Sequence, residues 1–79
     1  MATGWKYVSN DELNVVMDDA RLTEDDVQSI IDELTRREPD PDVGMCGAGS
    51  PQWFRDRLRY MSRRLAKMRR EQEARKSVA

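Results

Sequence analysis

Residues 8–37 read VSNDELNVVMDDARLTEDDVQSIIDELTRR, and this stretch contains two helix starts 14 residues apart. Ser9 and Thr23 are the predicted N-cap residues, and each is followed three residues later by an acid that can complete a capping box. After each cap, apolar residues recur at i, i+3, i+4 and i+7, which is the spacing of one buried helix face. We therefore predict two short helices, at 10–20 and at 24–37.

Each predicted helix has an apolar stripe on one face and carboxylates on the opposite face. The stripes consist of Leu13, Val16, Met17 and Ala20 in the first helix and of Val27, Ile30, Ile31 and Leu34 in the second. The expected acidic face consists of Asp18, Asp25, Asp32 and Glu33. Because three residues, 21–23, separate the helices, the pair has to form a tight corner with both stripes turned inward.

Segment 16–30, which spans this corner, resembles the helix-turn-helix sequence pattern of bacterial DNA-binding proteins. The matching positions are Val16, Met17, Ala20, Leu22, Thr23, Val27 and Ile30. The resemblance implies that the second helix reads DNA, but that helix opens with acids at 24–26, and Arg21 stands where glycine is usual. Carboxylates at that end would face phosphates. We therefore expect a packed helical corner and no DNA reading by this helix.

A third and much longer helix is predicted at 51–76. Two prolines end the second helix, because proline lacks a backbone donor and restricts the residue before it, and a loop at 38–49 follows. Ser50 and Pro51 are the preferred N-cap and first residue of a helix. An apolar seam then recurs at spacings of 4, 3, 4 and 3 residues, formed by Phe54, Leu58, Met61, Leu65 and Met68.

These elements define the expected fold, a single all-α domain over residues 1–79. In this three-helix domain, two short acidic helices form a corner against one long basic C-terminal helix. A helix over 51–76 would be roughly 39 Å long, whereas helices of 11–14 residues reach roughly 17–21 Å at the same rise. Unless the two short helices are staggered along it, we therefore expect the third helix to project beyond them from about Leu65 onward.

Charge is sorted along the chain. Residues 1–42 contain four Lys or Arg against twelve Asp or Glu, a net charge of −8, whereas residues 43–79 contain ten against three, a net charge of +7. The formal charge of −1 for the whole chain hides this separation. The two parts can attract each other, or each can attract a different partner.

The composition argues against an enzyme, a metal site or a cofactor. The chain contains no histidine and one cysteine, so an internal disulfide and the usual zinc ligand sets are excluded. Without histidine, Cys46 lacks the usual base that would make it a nucleophile. The loop glycines lack the Lys-Ser/Thr of a phosphate-binding loop, and Met45 stands where a calcium loop requires glycine. We expect no catalytic residue, no metal ligand and no cofactor.

The sequence also favours a cytoplasmic protein without membrane contact. No apolar run is long enough for a membrane span, and a lone cysteine fits a reducing compartment. Eleven of the fourteen cations are arginine, which favours a bacterial or bacteriophage source with a GC-rich genome.

Near the start of the chain, we expect Trp5 and Tyr7 to cover the core as an extended segment, with a role as exposed anchors as the alternative.

The binding surface is expected on the basic third helix. Its predicted residues are Arg59, Arg63, Arg64, Leu65, Lys67, Met68, Arg69 and Arg70. Apolar residues that no short helix covers, with cations beside them, favour an acidic groove on another protein or a swapped second copy of this chain. We therefore expect a small non-enzymatic regulatory or accessory adaptor that binds another protein, for example a phage-encoded modulator of a host protein or a small assembly component.

Two alternatives stay open at this point. Far-side cations with nearby aromatic rings are also typical of nucleic-acid binding, and Arg57 and Arg64 are spaced to stack on Trp53 and Tyr60. The two rings border the seam, however, and are expected to widen the core instead. The second alternative is that the acidic face mimics DNA. Cations beside the seam disfavour a parallel homodimer, and the sequence leaves open a monomer or a homodimer.

Overall fold

The computed structural model describes residues 4–44 and 47–78, and over these residues it is all-α. It contains α1 (Asn10–Val16), α2 (Glu24–Arg36) and α3 (Pro51–Val78), preceded by a short 3-10 helix (Gly4–Tyr7). No strand is present in the described part of the chain. The prediction of a three-helix fold with two short helices and one long C-terminal helix is therefore confirmed.

The two short helices begin where the capping pattern predicts. The Thr23 hydroxyl accepts a hydrogen bond from the Asp26 N–H at 3.2 Å, and the Asp26 carboxylate accepts one from the Thr23 N–H at 3.0 Å. This reciprocal pair is a complete capping box. At α1, the Ser9 hydroxyl accepts a hydrogen bond from the Glu12 N–H at 3.2 Å. Side chains within four residues of each start thus determine where these helices begin.

α1 ends four residues earlier than predicted. Its last residue is Val16, with Met17 as the C-cap, and the predicted end at residue 20 is wrong. Beyond the cap, the Asp19 carboxylate accepts hydrogen bonds from the backbone N–H of Arg21 at 2.9 Å and from its guanidinium. Aspartate side chains that bind nearby backbone compete with helical hydrogen bonding, which explains the early end. As a result Ala20 leaves the predicted stripe and is exposed.

The core lies where the apolar faces of the three helices meet. Its buried side chains are Leu13, Met17, Val27, Ile30, Leu34, Trp53, Phe54, Met61 and Leu65. Trp53 packs edge-on against Phe54, with ring centroids 4.9 Å apart and an interplanar angle of 80°. Leu58 and Met68 of the seam and Ile31 of the second stripe are partly buried against this cluster. The apolar periodicities therefore predict most of the core.

The short helices cover more of α3 than their lengths suggest, because they lie at different positions along it. The C-terminal end of α1 lies beside Arg64, whereas the start of α2 lies beside Arg69, which contacts Glu24 and Gln28. Leu65 is consequently 6% exposed and belongs to the core. The prediction that α3 projects from Leu65 onward is wrong, and a continuous run of exposed residues begins instead at Arg69.

The segment before α1 is held against α2 by one arginine. Arg37, the C-cap of α2, donates hydrogen bonds to the carbonyl oxygens of Trp5 and Val8 at 2.6 and 2.5 Å and to Asn10 Oδ1 at 2.7 Å. The Trp5 indole is partly buried and donates to the Ser29 hydroxyl at 2.8 Å. The segment predicted to be extended is a 3-10 helix, so that part of the prediction is wrong. Trp5 packs against the core as predicted, whereas Tyr7 is 83% exposed and does not cover it. In a 3-10 helix, alternate residues do not share a face.

Candidate functional site

A groove of about 600 Å³ lies between the α1–α2 turn and one flank of α3. Its apolar floor, as we name it, consists of Ala20, Leu22, Tyr60 and Met68. Its charged lining consists of Asp18, Arg63, Arg64, Lys67 and Glu71. Tyr60 is 41% exposed, so a large aromatic surface in this groove reaches solvent.

The early end of α1 creates this groove. After Val16 the chain turns through 17–22 instead of continuing as a helix, and the turn places Ala20 and Leu22 opposite α3. On α3, Tyr60, Arg64, Lys67 and Glu71 recur at spacings of 4, 3 and 4, which aligns them along one flank of the helix. The groove is thus bounded by a helical flank on one side and an irregular turn on the other.

Arg64 forms part of the groove wall and supports the turn. Its guanidinium donates hydrogen bonds to the carbonyl oxygens of Met17, at 2.7 Å, and of Asp19. These carbonyls follow the end of α1, where backbone acceptors lack intrahelical partners and a cation is favoured. Arg64 was predicted to bind a partner, but it is partly buried and occupied by contacts within the chain. It is therefore a structural residue of the groove.

One of the groove-lining acids, Asp18, forms an ion pair with α3. Asp18 lies 3.6 Å from the Arg57 guanidinium, which also lies over the Tyr60 ring at 5.4 Å. The predicted stacking pairs, Arg57 on Trp53 and Arg64 on Tyr60, are not formed. Trp53 is buried, and its indole donates to Asn14 Oδ1 at 2.9 Å. Arg57 thus orients Tyr60 while it offsets the charge of Asp18.

Two cations on the groove have no partner within the described residues. Arg63 and Lys67 are exposed and make neither an ion pair nor a hydrogen bond with other described residues. Arg59 and Arg70 are exposed and unpaired in the same sense, but they lie outside the groove lining. Arg63 and Lys67 are one helical turn apart, so they present two positive charges on the same side of the apolar floor.

Of the other predicted binding residues, Leu65 and Arg69 make contacts within the fold, and Met68 lines the groove. Leu65 is buried in the core, which contradicts its predicted place on an uncovered surface. Arg69 donates to Gln28 Oε1 at 3.1 Å and lies 3.8 Å from the Glu24 carboxylate. Met68 is partly buried and contributes to the apolar floor. The predicted surface therefore divides into residues that hold α3 in place and residues that border the groove.

Of the four residues predicted for the acidic face, three are exposed and Glu33 is buried. Asp18, Asp25 and Asp32 are exposed, but Glu33 is 8% exposed. The Glu33 carboxylate accepts hydrogen bonds from Arg36 at 2.6 Å and Arg37 at 2.7 Å. Burial would raise the pKa of the Glu33 carboxyl, but the two arginines outweigh burial and hold that pKa below its ordinary value. The assignment of Glu33 to the exposed face is therefore wrong.

A second acid near the groove has a perturbed titration. Hydrogen bonds from the side chain and the backbone of Arg21 lower the pKa of the Asp19 carboxyl, and the nearby Arg64 charge acts in the same direction. Asp19 is therefore ionised across the neutral range. Its role is to bind Arg21 and shape the turn that forms the groove wall.

A smaller recess of about 250 Å³ adjoins the groove at Met68 and Glu71. It is also lined by Glu24, whose two carboxylate oxygens have different surroundings. One oxygen lies 3.8 Å from Arg69, whereas the other is buried without a hydrogen-bond partner among the described residues.

No metal cluster or membrane helix is found in the described part of the chain. Within residues 4–44 and 47–78, no three His, Cys, Asp or Glu side chains are placed to hold a metal ion. None of the helices there combines the length and the hydropathy needed to cross a membrane. Cys46 lies outside the described residues, so the prediction that it is not a catalytic nucleophile stays a prediction.

Comparisons of this chain with protein-family models, with curated protein sequences and with solved structures find no match. Sequence reasoning predicted the groove cations and Met68 but missed Ala20, Leu22 and Tyr60 as its floor. Two sequence signals could have predicted the floor. The adjacent acids Asp18 and Asp19 can end a helix early, and the spacing of 4, 3 and 4 residues that begins at Tyr60 places this ring on the same flank of α3 as Arg64 and Lys67.

Proposed function

We propose that this protein is a small non-enzymatic adaptor that binds another protein through the groove between the α1–α2 turn and α3. The observation that carries the proposal is an apolar floor that reaches solvent at Tyr60, beside the cations Arg63 and Lys67, which have no partner among the described residues. Apolar side chains surrounded by charged ones are typical of protein interfaces, and tyrosine is enriched at their energetic centres.

The size of the groove favours a short segment of the partner. From Tyr60 to Glu71 the lining spans about 16 Å along α3, at a rise of about 1.5 Å per residue. Such a site is smaller than a standard interface, for which each partner contributes about 800 Å². We therefore expect reversible binding, with a dissociation constant on the order of 1 μM. Reversible binding suits a regulator or an assembly factor.

One observation favours nucleic-acid binding as a second candidate. Arg59, Arg63 and Arg70 lie on the side of α3 that faces away from the core, and each is exposed and unpaired among the described residues. Phosphates bound along this side would release counterions and give a strong salt dependence. Carboxylates interrupt this surface, however: Asp56 lies on the same side of α3, and Glu71 lies beside Arg70. A protein partner therefore remains the preferred proposal.

DNA mimicry by the acidic face is the weaker alternative. A mimic needs a regular array of exposed carboxylates, and Glu33 is removed from the predicted array by its two arginine partners. Asp32 also accepts a hydrogen bond from Gln28 at 3.1 Å. The remaining acids, Asp18 and Asp25, lie on different elements of the corner.

Site-specific photocrosslinking in the cells that encode the protein tests the proposal. A photoreactive amino acid replaces Lys67, inside the groove, or Arg59, on the same helix outside it. We expect a discrete protein adduct from position 67 and none from position 59. Equal adducts at both positions, or no protein adduct at position 67, would contradict binding through the groove. Adducts that nuclease treatment removes would support the nucleic-acid alternative.

A further inference from the structure

We infer that the occupant of the groove is an amphipathic α-helix of the partner protein, with apolar residues on the face that meets the floor and carboxylates beside Arg63 and Lys67. This inference rests on the proposed protein-binding function and specifies the partner of that same groove. It is carried by the shape of the floor, by the unpaired charges beside it and by the secondary structure around it.

The floor matches the repeat of a helix. Tyr60 and Met68, at the two ends of the floor, are separated by about 12 Å along α3, and two helical turns span about 11 Å. A helix lying in the groove would therefore place side chains at i, i+3 or i+4, and i+7 against Tyr60, Leu22 and Met68. This is the usual pattern of anchors when an amphipathic helix binds in a groove.

An extended segment would fit this site less well. A strand that binds a protein usually gains its affinity by adding to a sheet edge, which pairs its backbone N–H and C=O groups. The described residues contain no strand, and both walls of the groove consist of helix and turn. A helix pairs its own backbone groups, so it can lie on an apolar floor without leaving them unsatisfied.

The charges favour carboxylates in the middle of the occupant. Arg64 is engaged by two backbone carbonyls, and Asp18 is offset by Arg57. Arg63 and Lys67 therefore supply the positive charge that is free to meet a ligand. Because they are four residues apart on α3, acids at i and i+3 or i+4 of the occupant can face them both. The matching acids on a partner helix would add specificity and faster association.

Carboxylates near the groove disfavour a nucleic-acid backbone as its occupant. Glu71 lies at one end of the groove, and Glu24 lines the adjoining recess. A continuous row of phosphates would be repelled there, whereas a helix can place a neutral or basic residue at that end. These carboxylates make the proposed helix a better fit than a nucleic-acid strand.

Selection from a displayed library of helix-forming peptides tests the inference on the full-length chain. We expect selected peptides to carry apolar residues at i, i+3 or i+4, and i+7, flanked by Asp or Glu. The affinity of one selected peptide is then measured by fluorescence anisotropy. Arg63→Glu combined with Lys67→Glu should weaken binding at least tenfold, and Tyr60→Ala should weaken it by a similar factor, since both the charges and the floor contribute.

A matched control and a rescue define the site. Arg55→Glu combined with Arg59→Glu makes the same change of charge on exposed positions of α3 outside the groove, and should change affinity by less than threefold. A peptide with its acids replaced by lysine should bind the Arg63→Glu, Lys67→Glu variant more tightly than it binds the wild type. Circular dichroism confirms that each variant is folded before its affinity is compared.

The outcomes distinguish this inference from the proposed function. The inference is overturned if no peptide is selected, if the selected peptides lack acidic enrichment, or if the control variant weakens binding as much as the groove variant does. If position 67 nevertheless crosslinks to a protein in cells, the adaptor function stands with a different kind of occupant. If position 67 crosslinks to no protein either, both proposals fail.

Discussion

At the scale of single residues, Arg37 does more than its position in the sequence indicates. An arginine in the last turn of a helix is expected to interact with the helix dipole. Here its guanidinium joins the Glu33 carboxylate to the N-terminal segment through Trp5, Val8 and Asn10. Sequence alone could not predict these contacts, because they join residues that are 27 to 32 positions apart. Glu33 was misassigned although its arginine partners are only three and four positions away, because the sequence does not show that its side chain is buried.

Replacing Arg37 should be far more costly than replacing its neighbour Arg36. Both arginines bind Glu33, but the Arg37 side chain is 15% exposed and that of Arg36 is 60% exposed. Loss of a largely buried charge partner leaves polar groups unsatisfied, so Arg37→Ala should lower the free energy of unfolding by about 3 kcal/mol. Arg36→Ala should cost less than about 1 kcal/mol. Urea unfolding measures both, and equal losses would contradict the assigned role of Arg37.

Glu33 predicts how stability depends on pH. Its folded-state pKa is below the ordinary value of 4.5, so its ionised form stabilises the folded state above that pH. This contribution is lost as the pH falls through 4.5 toward the lower folded-state pKa. The urea midpoint of the wild type should therefore decrease from about pH 6 to about pH 3. Glu33→Gln should show a smaller decrease over the same range.

Asp19 provides the comparison for that titration. Its pKa is also lowered, by Arg21, but on an exposed turn rather than in a buried cluster. The urea midpoint of Asp19→Asn should therefore still fall at acid pH almost as much as that of the wild type, whereas the midpoint of Glu33→Gln should fall less. If the two variants respond to pH identically, the buried cluster around Glu33 is not the main source of the acid sensitivity.

At the scale of elements, the starts of helices were more predictable than their ends and their packing. Thr23 and Asp26 determine the start of α2 by local hydrogen bonds, which a sequence pattern shows directly. The end of α1 depends on whether Asp19 binds the helix backbone or the following turn, and the sequence allows both. The placement of α2 along α3 is a tertiary property that the sequence does not show. Helix lengths alone predicted that Leu65 is uncovered, whereas it is buried.

Truncations of α3 should show which of its residues are needed for folding and which are not. A chain that stops after Arg70 keeps Leu65, Met68 and the contacts of Arg69, and it loses residues that are exposed or undescribed. Its melting temperature should stay within about 4 °C of the wild type, the shift expected for roughly 1 kcal/mol in a domain of this size. A chain that stops after Arg64 loses buried Leu65, so it should be largely unfolded by circular dichroism.

At the scale of the whole molecule, the acidic short helices and the basic α3 are joined by few direct charge contacts. Their opposite charges act mainly through the electrostatic potential around the molecule. In the described residues, two ion pairs join the acidic elements to α3, Asp18–Arg57 at 3.6 Å and Glu24–Arg69 at 3.8 Å. Members of both pairs are partly or largely exposed, and such pairs contribute little to stability. The sequence therefore predicted the opposite charges of the helices, whereas the groove floor depends on how the helices pack. That packing brings Leu22 and Tyr60 into the lining of the same groove.

Salt should affect partner binding more than it affects folding. Between about 0.05 M and 0.5 M NaCl, the Debye length falls several-fold and exposed pairs are screened. The free energy of unfolding, measured in urea at each salt concentration, should change by less than about 1 kcal/mol. Binding of an acidic helical peptide should weaken over the same range because Arg63 and Lys67 are exposed. A large loss of stability in salt would show that the charge separation holds the fold together.

The two tryptophans give the molecule two separate optical reporters. Trp5 lies in the segment held by Arg37 and donates to Ser29, whereas Trp53 is buried at the start of α3 and donates to Asn14. Their fluorescence therefore reports on different events: release of the N-terminal segment and loss of the core. With each indole replaced in turn by phenylalanine, coincident fluorescence transitions would indicate all-or-none unfolding, and an earlier Trp5 transition would reveal that the N-terminal segment detaches first.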